Sequence, residues 1–181
     1  MDLRQKKTLR AIEQAFYTLR KQKKLEAITV TELCANAQIS KATFYLHYRD
    51  LFDLSEKLQN ELIEVVFSEL ENPMAILTEP AGFMRSFVRA VEQEFERITV
   101  LFSGSQAGLL PVQIVHHLKE YIFTHAPKLK DDPKIQVFLT YHVMGSYYAC
   151  MERPNRGEYK EVLKILESIQ PSLPLIDQPM E

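Results

Sequence analysis

Apolar residues recur along most of this chain at the three-to-four-residue step of helices, which gives an all-α reading. Leu9, Ile12, Phe16 and Leu19 form one stripe, and the spacing predicts a helix from near Leu3 to Lys21. The stretch TVTELCANAQISKATFYLHY, 29–48, then parses as two short helices joined by a tight turn. Thr29 is a helix cap, with Glu32 three residues on as in a capping box. Val30, Leu33, Cys34 and Ala37 share the face of this first helix, and Gln38 and Ile39 make the connection. Ser40 is a second cap and opens a helix to about Arg49, in which Phe44 and Tyr48 point back to the first helix. Asp50 caps the next helix, whose stripe Leu51, Leu54, Leu58, Leu62 and Val65 or Val66 runs to about Leu70. At about 1.5 Å per residue it is about 30 Å long.

Beyond it, 72–80 contains two prolines and reads as a loop. A single helix is expected over 81–103, with Phe83, Phe87, Val91, Phe95, Ile98 and Phe102 along one side. The run SGSQAG, 103–108, breaks it; Pro111 suits a first helical position, and the pattern continues to His125. Asp132 and Pro133 open a helix to about Met151, and a last one is expected over 157–169 before a Pro-rich tail. The helix ending at Met151 is apolar nearly all round, so either one of its sides faces a partner subunit or the core is unusually deep. The last helix again has a wide apolar face, and Gly145 permits close helix approach.

The net charge of -2 hides an asymmetry. Residues 1–50 hold 10 Lys+Arg against 5 Asp+Glu, whereas the remainder holds 12 against 19. A basic third on an acidic remainder suits a nucleic-acid head attached to a body that does not touch nucleic acid. Apolar residues make up 46% of the chain, as in folded globular proteins. No apolar run approaches the roughly 20 residues of a membrane span. MDLRQKKTLR lacks the apolar stretch of a signal peptide, so a cytoplasmic protein with no membrane partner is expected. Cys34 and Cys150 lie in apolar helical patterns and read as buried thiols. There is no phosphate-binding loop, Cys-x-x-Cys or His-Glu-x-x-His. No catalytic constellation, metal site or cofactor is expected.

The helix opened by Ser40 has no acid between Ser40 and Arg49, and its outer face is small, hydroxylic, aromatic and basic. Such a face suits a DNA major groove. Lys41 and Thr43 reach phosphates, and Tyr45 reaches a phosphate or a base edge. Ala42 permits close approach, and Leu46 meets a thymine methyl. The segment resembles the helix-turn-helix of the TetR family of transcriptional regulators. The likeness is carried by Ile28, Thr29, Val30 and Leu33, and then by Ile39, Ser40, Lys41, Ala42, Thr43, Phe44 and Tyr45, with His47 and Tyr48 after them. It covers about residues 8 to 58. It departs at Gln38, where the family commonly has Gly, and at Leu51, where it commonly has a phosphate-contacting Lys.

The resemblance implies a three-helix head, 1–49, continuous with a helical regulatory and dimerisation body, 50–181. It assigns DNA contact to Thr29, Ser40, Lys41, Ala42, Thr43, Tyr45, Leu46, His47 and Tyr48. In the body it implies a cavity for a small-molecule effector, with Phe83, Phe87, Phe102, Gln113, His117, Tyr141 and His142 as candidate lining. The last two helices resemble the family's dimer interface, which places Phe138, Tyr141, Gly145, Tyr148, Val162, Leu166 and Ile169 at a homodimer contact. The expected function is a homodimeric repressor that binds double-stranded operator DNA and is released by a small molecule. An activator or a co-regulator controlled by a protein partner is the alternative, and a helical interaction module without DNA binding is the rival from another class.

Overall fold

The computed structural model describes residues 3–151 together with 161, 162, 164–166 and 168. Among these residues the fold is all-α, with no strand. In chain order the helices are α1 (Leu3–Arg20), α2 (Val30–Ala37), α3 (Lys41–Tyr45), α4 (Leu51–Ser68), α5 (Ala75–Thr78), α6 (Pro80–Gln93), α7 (Phe95–Leu101), α8 (Leu109–His125) and α9 (Pro133–Met151). No single helix among the described residues is long and apolar enough to cross a membrane. Two compact units result: 1–62 with 94–109, and 63–93 with 110–181. The division does not fall at 49/50. It falls inside α4, and segment 94–109 belongs with the N-terminal helices.

In the first unit α1 packs on α2 and on α7, and α2 packs on α3. The stripe expected on α1 is the buried one: Ile12 and Phe16 are fully enclosed and Leu19 nearly so. Leu33, Phe44, Leu54 and Leu101 are likewise fully buried. Gln38 takes the left-handed conformation at the end of α2, with φ 54° and ψ 43°. Its N–H closes back on the carbonyls of Ala35 and Cys34, the usual way of ending a helix, though here without Gly.

The helix opened by Ser40 stops at Tyr45, not near Arg49. Its last turn tightens, with the N–H groups of His47 and Tyr48 both donating to the Phe44 carbonyl at 2.9 and 3.0 Å. Residues 49 and 50 are then drawn into the start of α4. Asp50 accepts the N–H of Asp53 at 2.8 Å, and the Asp53 carboxylate accepts the N–H of Arg49 at 3.0 Å. The Arg49 N–H is thus taken by a carboxylate and not by a carbonyl of α3.

The helix expected over 81–103 is two helices broken at Glu94, whose φ/ψ of -101°/11° is not helical. The buried face changes across the break. Phe83, Met84, Val88 and Ala90 are inside on α6, whereas α7 buries Ile98 and Leu101 and leaves Phe95 47% exposed. The expected loop 72–80 contains the one-turn helix α5, which packs on α6 through the second unit's core. Pro111 is the third residue of α8 rather than the first, still within the turn whose N–H groups lack intrahelical acceptors. Asp132 caps α9 as expected, accepting the N–H of Lys134 at 2.8 Å. The helix expected over 157–169 falls largely outside the described residues, and Ile169 lies outside them.

Phe44→Ala should destabilise the first unit by about 3–5 kcal/mol, the usual loss for a buried aromatic. Gln38→Gly should stabilise it by about 1 kcal/mol by relieving the left-handed strain. Chemical denaturation of the two variants beside the parent chain checks both signs.

Candidate functional site

Two caps set up the surface around α3. Thr29 Oγ1 accepts the N–H of Glu32 at 3.2 Å, and Ser40 Oγ accepts the N–H of Thr43 at 3.0 Å. The Glu32 carboxylate pairs with Lys23 at 2.5 Å. Ser40 and Thr43 also share a hydroxyl hydrogen bond of 2.9 Å. Phe44 holds α3 from beneath, while Lys41, Ala42, Tyr45 and Leu46 face solvent. Leu46 is 80% exposed and Tyr45 56%. A five-residue helix that, with its C-cap Leu46, exposes two large apolar side chains is not organised around its own core alone.

His47 and Tyr48 are half-buried. The Tyr48 ring lies 5.7 Å from that of Phe44, and Lys57 Nζ stands 4.8 Å from its centroid. Burial first, and then Glu61, Glu13 and Asp53, push the Tyr48 hydroxyl up to about 12, so it keeps its proton. Tyr48 supports the surface from below and does not share the open face of Tyr45. Lys57 also donates to the His47 carbonyl at 3.1 Å and pairs with Asp53 at 3.3 Å. Asp53 is further held by Arg49 at 2.9 Å. These bonds, led by the Arg49 N–H and guanidinium, lower its pKa from 3.8 to about 2.

Arg4, Lys6, Lys7, Arg10, Lys24 and Lys41 are exposed and make no ion pair among the described residues. Sequence reasoning missed Phe52, which is 52% exposed at the start of α4. Its place off the buried stripe of Leu51, Leu54 and Leu58 was the available signal. A groove of about 830 Å³ between α1 and α7 was missed too. Arg10, Tyr17, Lys21 and Arg97 are among its lining, and no candidate residue lies there.

In the second unit, Phe83 stacks on Phe87 at 5.8 Å. Phe67 lies 6.1 Å from Phe87 and 4.5 Å from His117, so two candidate residues meet an aromatic outside the candidate set. Phe102 belongs to the first unit. Gln113, half-buried on α8, sits one turn before His117. His142 rests against Phe138 at 4.1 Å, and burial lowers its pKa, which keeps it neutral. Tyr141 is 72% exposed, so it faces outward and does not line a cavity within the unit.

Of the residues expected at a dimer contact, Tyr141, Gly145 and Tyr148 are exposed along one face of α9, together with Val137. Phe138, Val162 and Leu166 are buried in the single chain and are unavailable to a partner. The outward residue near them is Ile165, 50% exposed. Cys34 is buried as expected, whereas Cys150 is only partly so; burial pushes both thiols up. The described residues hold no cluster of three or more metal-type ligands. Compared with protein-family models, curated proteins and solved structures, the chain matches none.

Because its folded pKa is depressed, Asp53 stabilises the turn fully above about pH 4, and this contribution is lost as pH falls through about 2. Thermal melts between pH 6 and pH 2 should show a stability gap between the parent chain and Asp53→Asn that closes toward pH 2. A gap that persisted at pH 2 would mean that packing, not charge, makes the difference.

Proposed function

We propose that this chain is a sequence-specific DNA-binding transcriptional regulator of the TetR type, a homodimeric repressor released by a small molecule. The observation that carries the reading is the division of labour on α3. Phe44 is fully buried, while the side chains of Lys41, Ala42, Tyr45 and Leu46 are exposed to solvent. This is the donor, hydroxyl and methyl-contact chemistry that a major groove takes, on a helix with no acid to repel phosphate. The six cations that make no ion pair among the described residues supply the accompanying sequence-independent attraction.

Homodimerisation is supported by the exposed face of α9, where Val137, Tyr141, Gly145 and Tyr148 follow one another at helical spacing. Two-fold recognition requires reading heads about 34–36 Å apart, one turn of the duplex. The unbroken α4, about 27 Å long at 1.5 Å per residue, is the lever through which the body sets that spacing. A second reading, a module that docks a protein, is favoured by the same exposure of Leu46 and Phe52. Salt dependence separates them, since counterion release belongs to DNA and not to an apolar docking contact.

Selection from random duplexes, followed by anisotropy at several salt concentrations, should yield a preferred site bound with a steep salt slope. Lys41→Ala should weaken good and poor sites alike and reduce that slope by about 1. Tyr45→Phe should weaken the preferred site without moving the melting temperature. Absence of any salt-sensitive, sequence-preferring binding would leave the docking module as the better account.

The dimer reading makes its own demand. Tyr141→Glu combined with Tyr148→Glu should give a folded monomer in sedimentation. Its affinity for a two-half-site duplex should fall at least tenfold, while half-site binding stays put. A variant that remained dimeric would move the contact away from α9.

A further inference from the structure

Arg20 is 4% exposed, yet no carboxylate stands in ion-pair contact with it among the described residues. Its guanidinium is held by oxygens of the neutral chain. Nη1 donates to the Lys23 carbonyl at 3.2 Å. Nη2 donates to the Val100 carbonyl at 3.0 Å, to the Ser103 carbonyl at 3.3 Å and to Ser103 Oγ at 2.8 Å. Lys23 follows the end of α1, and Val100 and Ser103 stand at the end of α7. A buried cation therefore sits at the carbonyl end of α7, the polarity that favours positive charge, with the turn after α1 supplying a further carbonyl. Nε is buried without an acceptor, so the cage is one oxygen short.

Other polar ties run between the same parts of the unit. Ser105 donates its hydroxyl to Glu26, and Arg97 Nε donates to the Tyr17 hydroxyl at 3.2 Å. Gly104, at φ +63°, makes the left-handed turn that follows Ser103. Segment 94–109 is the portion of the first unit whose flanking chain, α6 and α8, belongs to the second.

We propose that Arg20 is a positioning residue, a buried clasp by which segment 94–109 controls the placement of α1 and, through it, of the DNA-reading helix. This rests on the DNA-binding reading above. The clasp is made of directional bonds to carbonyl and hydroxyl oxygens, with the charge of Glu26 acting on it from beyond ion-pair contact. Three of its four bonds go to Val100 and Ser103, so a change in the placement of that segment changes how Arg20 is held.

The test uses the full chain, with Arg20→Lys, which keeps the charge and loses the fork, and Gly104→Ala. At Gly104 an added Cβ meets only Lys24 Cγ, at 3.9 Å, so only the backbone turn is strained. Hydrogen exchange should accelerate about tenfold over 100–107 in both variants. The Kd of the folded fraction for the selected duplex, with active fraction set by stoichiometric titration, should rise at least fivefold at unchanged salt slope. A residue with a merely structural role would lower the active fraction and leave that Kd alone. Exchange within twofold of the parent, or a folded-fraction Kd within twofold, overturns the clasp. If the parent chain binds no duplex, the regulator reading falls. The exchange then still decides whether Arg20 holds the segment, acceleration supporting it and its absence overturning it.

Discussion

Burial of one apolar stripe on α1 is the constraint on which the first unit depends. Ile12, Phe16 and Leu19 lie inside, and α1 packs on both α2 and α7. Each such side chain contributes about 1.5–3 kcal/mol when fully removed from water. No neighbour of α1 is long enough to hold itself: α2 has 8 residues, α3 has 5 and α7 has 7. Isolated helices shorter than about 12 residues are marginal in water. Their order is therefore borrowed from α1 and from the N-terminal half of α4.

That dependence shapes what α3 can offer. Phe44 and the cap at Ser40 hold the short helix, which leaves Lys41, Ala42, Tyr45 and Leu46 exposed beside it. Tyr45 and Leu46 stand in solvent at an unfavourable hydration free energy, which the Phe44 anchor and the surrounding core offset. Tyr48 illustrates the limit. Its spacing from Phe44 draws the ring inward, where Lys57 covers it and desolvation holds its proton. Support and contact are thus divided between residues three apart, Tyr45 and Tyr48, on the same short segment.

Polar groups are used in the first unit mainly where chain segments meet. Asp53 gathers Arg49 and Lys57 at the turn into α4, and Arg20 gathers carbonyls from the turn after α1 and from the end of α7. Gln59, 1% exposed, donates to the Leu101 carbonyl at 3.1 Å and so ties α4 to α7 as well. Buried polar groups are costly when unpaired, so these bonds specify register more than they add stability. In the second unit the work is mostly apolar and aromatic. There the polar surface of α9 gives way to the exposed line from Val137 to Tyr148.

Much of this architecture was legible in the residues. The stripe of α1, the caps at Thr29, Ser40, Asp50 and Asp132 and the inward Phe44 all follow from local spacing and cap chemistry, which act within one or two turns of chain. The exposed face of α3 followed for the same reason. What stayed hidden depends on partners distant in sequence. Spacing of Phe83, Phe87, Phe95 and Phe102 read as one helix, because periodicity says which residues are apolar and not which core they enter. The break at Glu94 places 94–101 against α1, and it exists because Ile98 and Leu101 are buried there and Phe95 is not. Likewise an apolar α9 showed two buried-looking sides. Sorting Phe138 from Tyr141, four and seven residues along from Lys134, requires knowing which neighbours cover each side. Arg20 is the clearest case. In the chain it is one more basic residue at a helix end, and its burial arises from carbonyls 80 and 83 residues away.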